Sequence, residues 1–273
     1  SYRVGIHYEV LESMLPRNYN LWNYFKKNYP LKLIFNNFND EEEKNYIIPE
    51  NKVLADCTFQ YLLNNDIATL QRVYKELLNS LSYYVNRITL KQRTAEARLA
   101  GRLFDIDNML EKLFKDNPEK VLEEVQEKWG WNSRYWEQRA LAAYNKDIGK
   151  ALLHAKQAVA IELHPNTLTT LAKIQFKIME TTQNNEFVEK FKIACDTALQ
   201  AMNLEITRTY ITIHPFIVLK NGIDSFLDRR KISEIDNTLR EKIKIALISY
   251  ITTRHFPYIE KQRIESLIEE FSK

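Results

Sequence analysis

A row of cationic side chains is the feature of this sequence that most directly indicates a chemistry. The row consists of Arg87, Lys91, Arg98 and Arg102. Steps of 4, 7 and 4 residues place side chains on one face of a helix. Such a face can follow the phosphates of a nucleic acid. The simpler interpretation is a solvated helix face, because Glu96 lies within the row and no aromatic residue is interleaved for base stacking.

No other group of residues has the spacing of a catalytic or metal site. The histidines are His7, His154, His164, His214 and His255. They lack ligand spacing, and no H-E-x-x-H motif occurs. Acidic pairs such as Asp105 with Asp107 fall on the polar sides of amphipathic helices rather than in a cleft. No nucleophile elbow is present. We therefore expect a non-catalytic protein that needs no metal and no cofactor.

The composition predicts helices. Among 273 residues there are only 5 Gly and 7 Pro, well below the combined average of about 12%. Long stretches rich in Leu, Ile, Lys, Glu and Ala fill the space between these helix breakers. The sequence therefore predicts an all-α fold, with at most a short hairpin or an extended run, near Leu31–Phe38, before residue 50.

The charge and the cysteines indicate a cytoplasmic protein that does not enter membranes. A net charge of +3 is too small to argue for nucleic acid or an acidic lipid surface as the main partner. No apolar run approaches the ~20 residues that cross a bilayer. Cys57 and Cys195 lie in apolar helical runs without redox or metal spacing, so we expect both to be buried, reduced thiols.

Four segments organise the chain. Residues 1–50 form an irregular adaptor with short helices near residues 8–15 and 21–29, and residues 51–130 form helical hairpins. Residues 131–203 carry two repeats, and residues 204–273 supply capping helices. The chain begins without Met inside an amphipathic pattern, so we expect it to be part of a longer protein.

Apolar residues at steps of three and four predict two long helices in the second segment, over Ile67–Asn86 and Ile88–Phe114. The second of these begins directly after Arg87 and would carry Lys91, Arg98 and Arg102 on one face.

The stretch Trp129–Lys173 contains one helix end, two helix starts and two faces of small residues. Gly130 is predicted at C′, with Asn132 or Ser133 as the next N-cap. A turn over Asn145–Asp147 follows, and His164-Pro165 ends one helix and starts another. The small residues are Ala140 and Ala143, then Ala151, Ala155 and Ala158. Small side chains at this spacing allow two helices to pack closely.

This hairpin resembles a tetratricopeptide repeat, a 34-residue helix–turn–helix unit. Trp136 takes the first aromatic position, Ala140 the small position, Ala143-Tyr144 the following Tyr position and Pro165 the closing position. A second unit uses Leu168, Leu171 and Ala172, then Ala194, Ala198 and Ala201. The resemblance implies a stacked α-solenoid of helical hairpins.

The sequence of this stretch is similar to the tetratricopeptide-like C-terminal region of large bacterial STAND ATPases and related antiphage defence proteins. The similar residues are NSRYWEQRA…HAKQAVAIELHPNTLTTLAK. In that family the region serves as a sensor or an oligomerisation surface. The resemblance covers about 45 residues, and the chain has no G-x-x-x-x-G-K-[ST] motif for the ATPase itself.

In such a stack the first helix of each hairpin lines the concave groove. The resemblance places these residues there: Arg134, Glu137, Leu141 and Tyr144, with Asn166, Thr169, Lys173 and Phe176 from the next unit. Their mixture of polar, charged and aromatic groups suits the recognition of a peptide or protein. The alternative is that other helices of this chain, such as those over residues 232–271, fill the groove.

These observations predict a sensor or scaffold region of a larger cytosolic bacterial protein. It would bind a protein or peptide partner, or a second copy of itself, and no membrane. The hypothesis from a different class is a nucleic-acid-binding helical domain that uses the row Arg87 to Arg102.

Overall fold

The computed structural model divides the chain into two compact units, residues 1–138 and 139–273. The residues that it describes are 6–7, 10, 14, 35–39, 45–49, 52–115, 117–183, 186–208, 212–253 and 258–271. Every described element from Lys52 onward is helical. The prediction of a helical fold is therefore confirmed, while the predicted segment boundaries at residues 50, 130 and 203 remain interpretations of the sequence.

A small antiparallel sheet precedes the helices. Its strands are β1 (Ile6–His7), β2 (Phe35–Asn39) and β3 (Asn45–Pro49). The central strand β3 pairs with both others. The β2–β3 hairpin overlaps the predicted extended run, but β1 makes the sheet larger than predicted. Two residues are too short a stretch to show strand periodicity. The helices predicted near residues 8–15 and 21–29 lie outside the described residues, except for Val10 and Met14.

The helices of the first unit include two of 14 and 15 residues, followed by shorter ones. They are α1 (Lys52–Asn65), α2 (Ile67–Leu81), α3 (Arg87–Gln92), α4 (Ala95–Leu103), α5 (Pro118–Glu124), α6 (Gln126–Trp129) and α7 (Ser133–Ala143), whose last residues belong to the second unit. A π-helical turn over Ile106–Leu110 runs on through Glu111–Leu113 between α4 and α5. The helix predicted over Ile67–Asn86 ends at Leu81, and the one predicted over Ile88–Phe114 is broken into several pieces.

Buried aromatic rings, whose N–H and O–H groups are hydrogen-bonded, lie in the core of the first unit. The Phe104 ring meets the Trp129 ring edge-to-face at 4.9 Å between centroids. Trp129 Nε1 donates to the Leu78 carbonyl at 3.2 Å, and the Tyr135 hydroxyl donates to the Leu122 carbonyl at 2.7 Å. Because each buried donor has an acceptor, these large side chains bury their apolar area without leaving an unpaired polar group.

The helices of the second unit are longer than those that follow α2 in the first unit. After the end of α7 come α8 (Ile148–Ile161), α9 (Pro165–Thr181), α10 (Glu186–Ile206), α11 (His214–Leu227), α12 (Asn237–Thr253) and α13 (Tyr258–Glu270), with a 3-10 turn over Ile232–Glu234. Each helix from α8 to α10 packs on the next; α9 also packs on α11, α10 on α12 and α12 on α13. Fully buried phenylalanines and aliphatic residues of α10, α11 and α12 form the largest apolar cluster here.

The two cysteines differ in exposure. Cys195 is fully buried on α10, as predicted, and burial raises the pKa of its thiol. The prediction that Cys57 is buried is wrong, because Cys57 is exposed on α1. Apolar neighbours do not indicate burial here, because Val53 and Tyr61 of the same helix are themselves 69% and 65% exposed.

Candidate functional site

The start of α7 is built by short-range hydrogen bonds. Asn132 Oδ1 accepts from the backbone N–H groups of Arg134, at 2.9 Å, and Tyr135, at 3.4 Å, so Asn132 is the N-cap. Two of the predicted groove residues, Arg134 and Glu137, form an ion pair at 2.9 Å. Glu137 is only 6% exposed. Its carboxylate is therefore a structural group of α7, and the prediction that it faces an open groove is wrong.

Gly130 ends α6 in a way that the sequence does not show. The predicted C′ position would have a left-handed backbone, whereas Gly130 is the C-cap, with φ −63° and a right-handed conformation. Its N–H donates to the Gln126 carbonyl at 2.7 Å, and a Cβ at this position would lie 2.8 Å from that oxygen. Glycine is therefore required by close approach of the backbone rather than by φ.

The small residues of α7 and α8 pack as predicted. Ala140, Ala143, Ala151 and Ala155 are fully buried and share one cluster with Leu171 and Ile174 of α9. Ala158 is also fully buried. Asp147, in the predicted turn, caps α8 through its side-chain contact with the N–H of Lys150 at 3.0 Å. The alanine stripes therefore bring α7, α8 and α9 together.

Tyr144 and Lys173 are two predicted groove residues that stay accessible. Tyr144 is half-buried just after α7, next to the half-buried Leu141, and Lys173 is exposed on α9. Lys173 Nζ lies 4.8 Å from the centre of the Tyr144 ring, which is a cation–π contact. Burial raises the pKa of the Tyr144 hydroxyl, and the charge of Glu180 adds to this while that of Lys177 opposes it.

Two residues that the sequence interpretation missed extend this surface. Lys177 and Glu180 of α9 are half-buried and form an ion pair at 3.2 Å. Glu180 Oε1 also accepts from the Ser225 hydroxyl of α11 at 2.9 Å. Lys177 follows Lys173 by four residues, so helical spacing alone would have identified it. We call Tyr144, Lys173, Lys177 and Glu180 the tyrosine–lysine surface.

Phe176 is not a groove residue, contrary to prediction. It is 4% exposed and belongs to the main core cluster of the second unit. A Cβ placed on Gly222 of α11 would lie 2.3 to 2.5 Å from the Phe176 ring. The ring is therefore covered by α11, which begins 38 residues later in the chain. This helix lies before residues 232–271, the segment that the alternative prediction placed over the groove.

Asn166 and Thr169 take part in the start of α9. His164 is its N-cap and Pro165 its first residue, as predicted. The exposed Asn166 donates its backbone N–H to His164 Nδ1 at 3.2 Å, and the Thr169 hydroxyl donates to the Pro165 carbonyl at 2.7 Å. The Asn166 side chain is available to a partner, whereas the Thr169 hydroxyl is used within the helix.

The cation row does not lie on one helix, contrary to prediction. Arg87 and Lys91 belong to α3, and Arg98 and Arg102 to α4. Arg93 ends α3 with φ 55°, a left-handed backbone. The N-caps Asn86 and Thr94 explain the break, because each accepts backbone N–H groups and begins a new helix. All four cations are exposed.

Within the described residues, no group of three or more His, Cys, Asp and Glu side chains could hold a metal ion. Among the described helices, none combines the length and the apolar character that a membrane crossing requires. No protein-family model matches the chain, and neither a curated protein nor a solved structure matches it.

Proposed function

We propose that this chain is a non-catalytic helical interaction region that binds a protein or peptide partner through the tyrosine–lysine surface. The observation that carries the proposal is the Lys173 ammonium 4.8 Å above the half-buried Tyr144 ring. A tyrosine held in place by a neighbouring cation has lost much of its freedom before binding, and tyrosine is among the residues that dominate interface energies.

The charges of this surface select the partner. Lys173 is exposed, and Lys177 is partly neutralised by Glu180. A partner segment that offers an apolar side chain to the Tyr144 ring and a carboxylate to Lys173 would match both groups. Charged groups at the rim then disfavour basic partners and speed the encounter with acidic ones.

The helix contacts of the second unit support a repeat architecture. Contacts of α9 with α11, and of α10 with α12, join helices that are two apart in the chain, as stacking of consecutive hairpins requires. Together with the resemblance of residues 129–173, this favours a tetratricopeptide-like solenoid. We further propose that the chain is the sensor end of a larger cytosolic bacterial protein, of the STAND ATPase class that acts in antiphage defence.

A comparison of two tyrosine variants tests the binding surface. Immobilised parent, Tyr144→Ala and the control Tyr61→Ala, which removes an exposed ring of α1, are each exposed to lysate, and retained proteins are quantified by mass spectrometry. We expect a partner retained by the parent and by Tyr61→Ala but lost from Tyr144→Ala. With that partner purified, Tyr144→Ala should weaken binding by about 2 kcal/mol, or roughly thirty-fold.

Lys173→Ala should weaken the same complex by a smaller amount, about 0.5 to 1 kcal/mol for an exposed cation–π contact. Melting temperatures of all variants are measured in parallel. If Tyr144→Ala lowers the melting temperature while every retained protein stays bound, Tyr144 is a structural residue and the proposed surface is wrong.

A further inference from the structure

Helices α3 and α4 expose a concentration of positive charge. Arg87 and Lys91 lie on α3, Arg93 on the turn, and Arg98 and Arg102 on α4; all five are exposed. The only acidic residue between positions 87 and 104 is Glu96, which is 8% exposed. We call the five cations the basic patch.

Four cations of the basic patch have no carboxylate partner among the described residues. Several other cations do have one, as in Arg72–Glu76, Lys75–Glu124 and Arg230–Glu234. Within the described part of the chain, no carboxylate forms an ion pair with Arg87, Lys91, Arg93 or Arg98. Neighbouring like charges repel one another, so an anionic ligand would relieve a repulsion that the fold leaves in place.

Two helix caps and a turn fix the backbone that carries the cations of the basic patch. Asn86 caps α3 with bonds to the N–H groups of Ile88 and Thr89, and Thr94 caps α4 through Ala97 N–H at 3.3 Å. Between them Arg93 adopts φ 55°, a conformation that residues other than glycine rarely take. Because α3 and α4 pack on each other, the cations are distributed over two helices and a turn rather than along a single line.

An exposed aromatic ring lies just before the patch. Tyr83, in the turn between α2 and α3, is 78% exposed, and Lys128 Nζ lies 5.4 Å from its ring centre. A ring of this kind can stack on an unpaired base. Exposed apolar area here is otherwise limited to Ile88, which is 66% exposed. A membrane surface would need a broader apolar face than one isoleucine and one tyrosine provide.

We propose that the basic patch binds the phosphate backbone of a nucleic acid without reading its sequence, with Tyr83 stacking on a base where the strand is single. Four of the five cations are arginines, whose planar guanidinium matches phosphate oxygens in pairs. This inference is independent of the tyrosine–lysine surface, since it uses none of those residues.

Salt-dependent binding of the full chain tests the proposal. Fluorescence anisotropy is measured with labelled DNA of arbitrary sequence, about 20 nucleotides long and either single-stranded or duplex, between about 50 and 200 mM salt. The patch variant is Arg87→Gln with Arg98→Gln. The control is Lys150→Gln with Lys156→Gln, which removes two exposed cations of α8.

We expect the parent to bind at low salt and the patch variant to bind at least ten-fold more weakly. Its slope of log K against log salt should be smaller by about 1.4 on single strands or 1.8 on duplex, for two lost phosphate contacts. The control should match the parent, and Tyr83→Ala should weaken only the single-stranded complex.

Three results would overturn the proposal. The first is no binding of either DNA at about 50 mM salt. The second is an equal loss in the patch variant and the control, which would show unspecific attraction by net charge. The third is binding to phosphatidylserine-containing vesicles together with no binding to DNA, which would make the patch a lipid-binding surface.

Discussion

Buried alanine side chains lie where α7, α8 and α9 meet in the second unit. Ala140 of α7 and Ala155 of α8 are both fully buried and belong to one hydrophobic cluster. Because these alanines are fully buried among packed side chains, their positions tolerate little added volume.

Replacement of Ala155 by Phe should therefore destabilise the fold by about 1 to 3 kcal/mol, because the ring must displace packed neighbours. Ala160→Phe on the exposed side of the same helix is the matched control and should change stability by less than about 0.5 kcal/mol. Urea unfolding monitored by circular dichroism measures both. Equal stabilities of the two variants would show that α8 does not pack through Ala155.

For single residues, the sequence predicts features that depend only on neighbouring positions, such as helix caps. Asn132 caps α7 as predicted, and Asp147 and His164, predicted only as turn residues, also cap helices, because a cap depends on a side chain and the backbone two or three residues away. Phe176 could not be assigned in this way. Its burial depends on Gly222, and no local pattern states which helix will cover a given face.

The contact of α9 with α11 covers part of α9 and so determines where the proposed partner-binding surface ends. The Phe176 ring fills the space that a side chain on Gly222 would occupy, and Ser225 one turn later bonds Glu180. The same helix therefore closes one end of the α9 face and holds the edge of the tyrosine–lysine surface.

Two glycine substitutions should have opposite effects for this reason. Gly222→Ala would place a Cβ 2.3 Å from the Phe176 ring, and we expect a loss of about 1 to 3 kcal/mol of stability. Gly101→Ala on α4 meets no atom within 4 Å and should stabilise by about 0.5 to 1 kcal/mol, since alanine favours helix.

Chemical denaturation of each variant measures the two effects. Combining Gly222→Ala with Phe176→Leu should recover part of the loss, because the smaller side chain leaves room for the methyl group. A Gly222→Ala variant as stable as the parent would contradict the close approach of α9 and α11.

Helix ends show where sequence periodicity fails for whole elements. Apolar spacing continues past Leu81 and across Arg93, so it predicts two long helices where the structure has several short ones. Periodicity records which side faces the core and does not record a break that keeps the same side buried. The capping residues Asn86 and Thr94 were visible in the sequence and were the better guide.

Each compact unit contains a buried tyrosine whose hydroxyl bonds a backbone carbonyl. Tyr74 donates to Leu103 at 2.9 Å in the first unit, and Tyr250 donates to Thr212 in the second. Burial raises the pKa of both hydroxyls, and for Tyr250 the charge of Glu205 adds to the effect. The whole molecule therefore has groups in both units that must stay protonated for the fold to persist.

Alkaline solution should destabilise the protein for this reason. In the unfolded chain a tyrosine ionises near pH 10, whereas the raised pKa keeps the folded hydroxyl neutral. The contribution of each tyrosine is therefore fully present below about pH 10 and declines by about 1.4 kcal/mol per pH unit above it. Urea unfolding between pH 8 and 11 measures the decline.

Tyr74→Phe should be about 1 kcal/mol less stable than the parent at pH 8, because it loses one hydrogen bond. Above pH 10 its free energy of unfolding should then decline less steeply than that of the parent. The exposed-site control Tyr61→Phe should follow the parent. If Tyr74→Phe and the parent decline in parallel, the Tyr74 hydroxyl ionises as readily in the folded protein as in the unfolded chain, and it does not contribute to the alkaline limit of the fold.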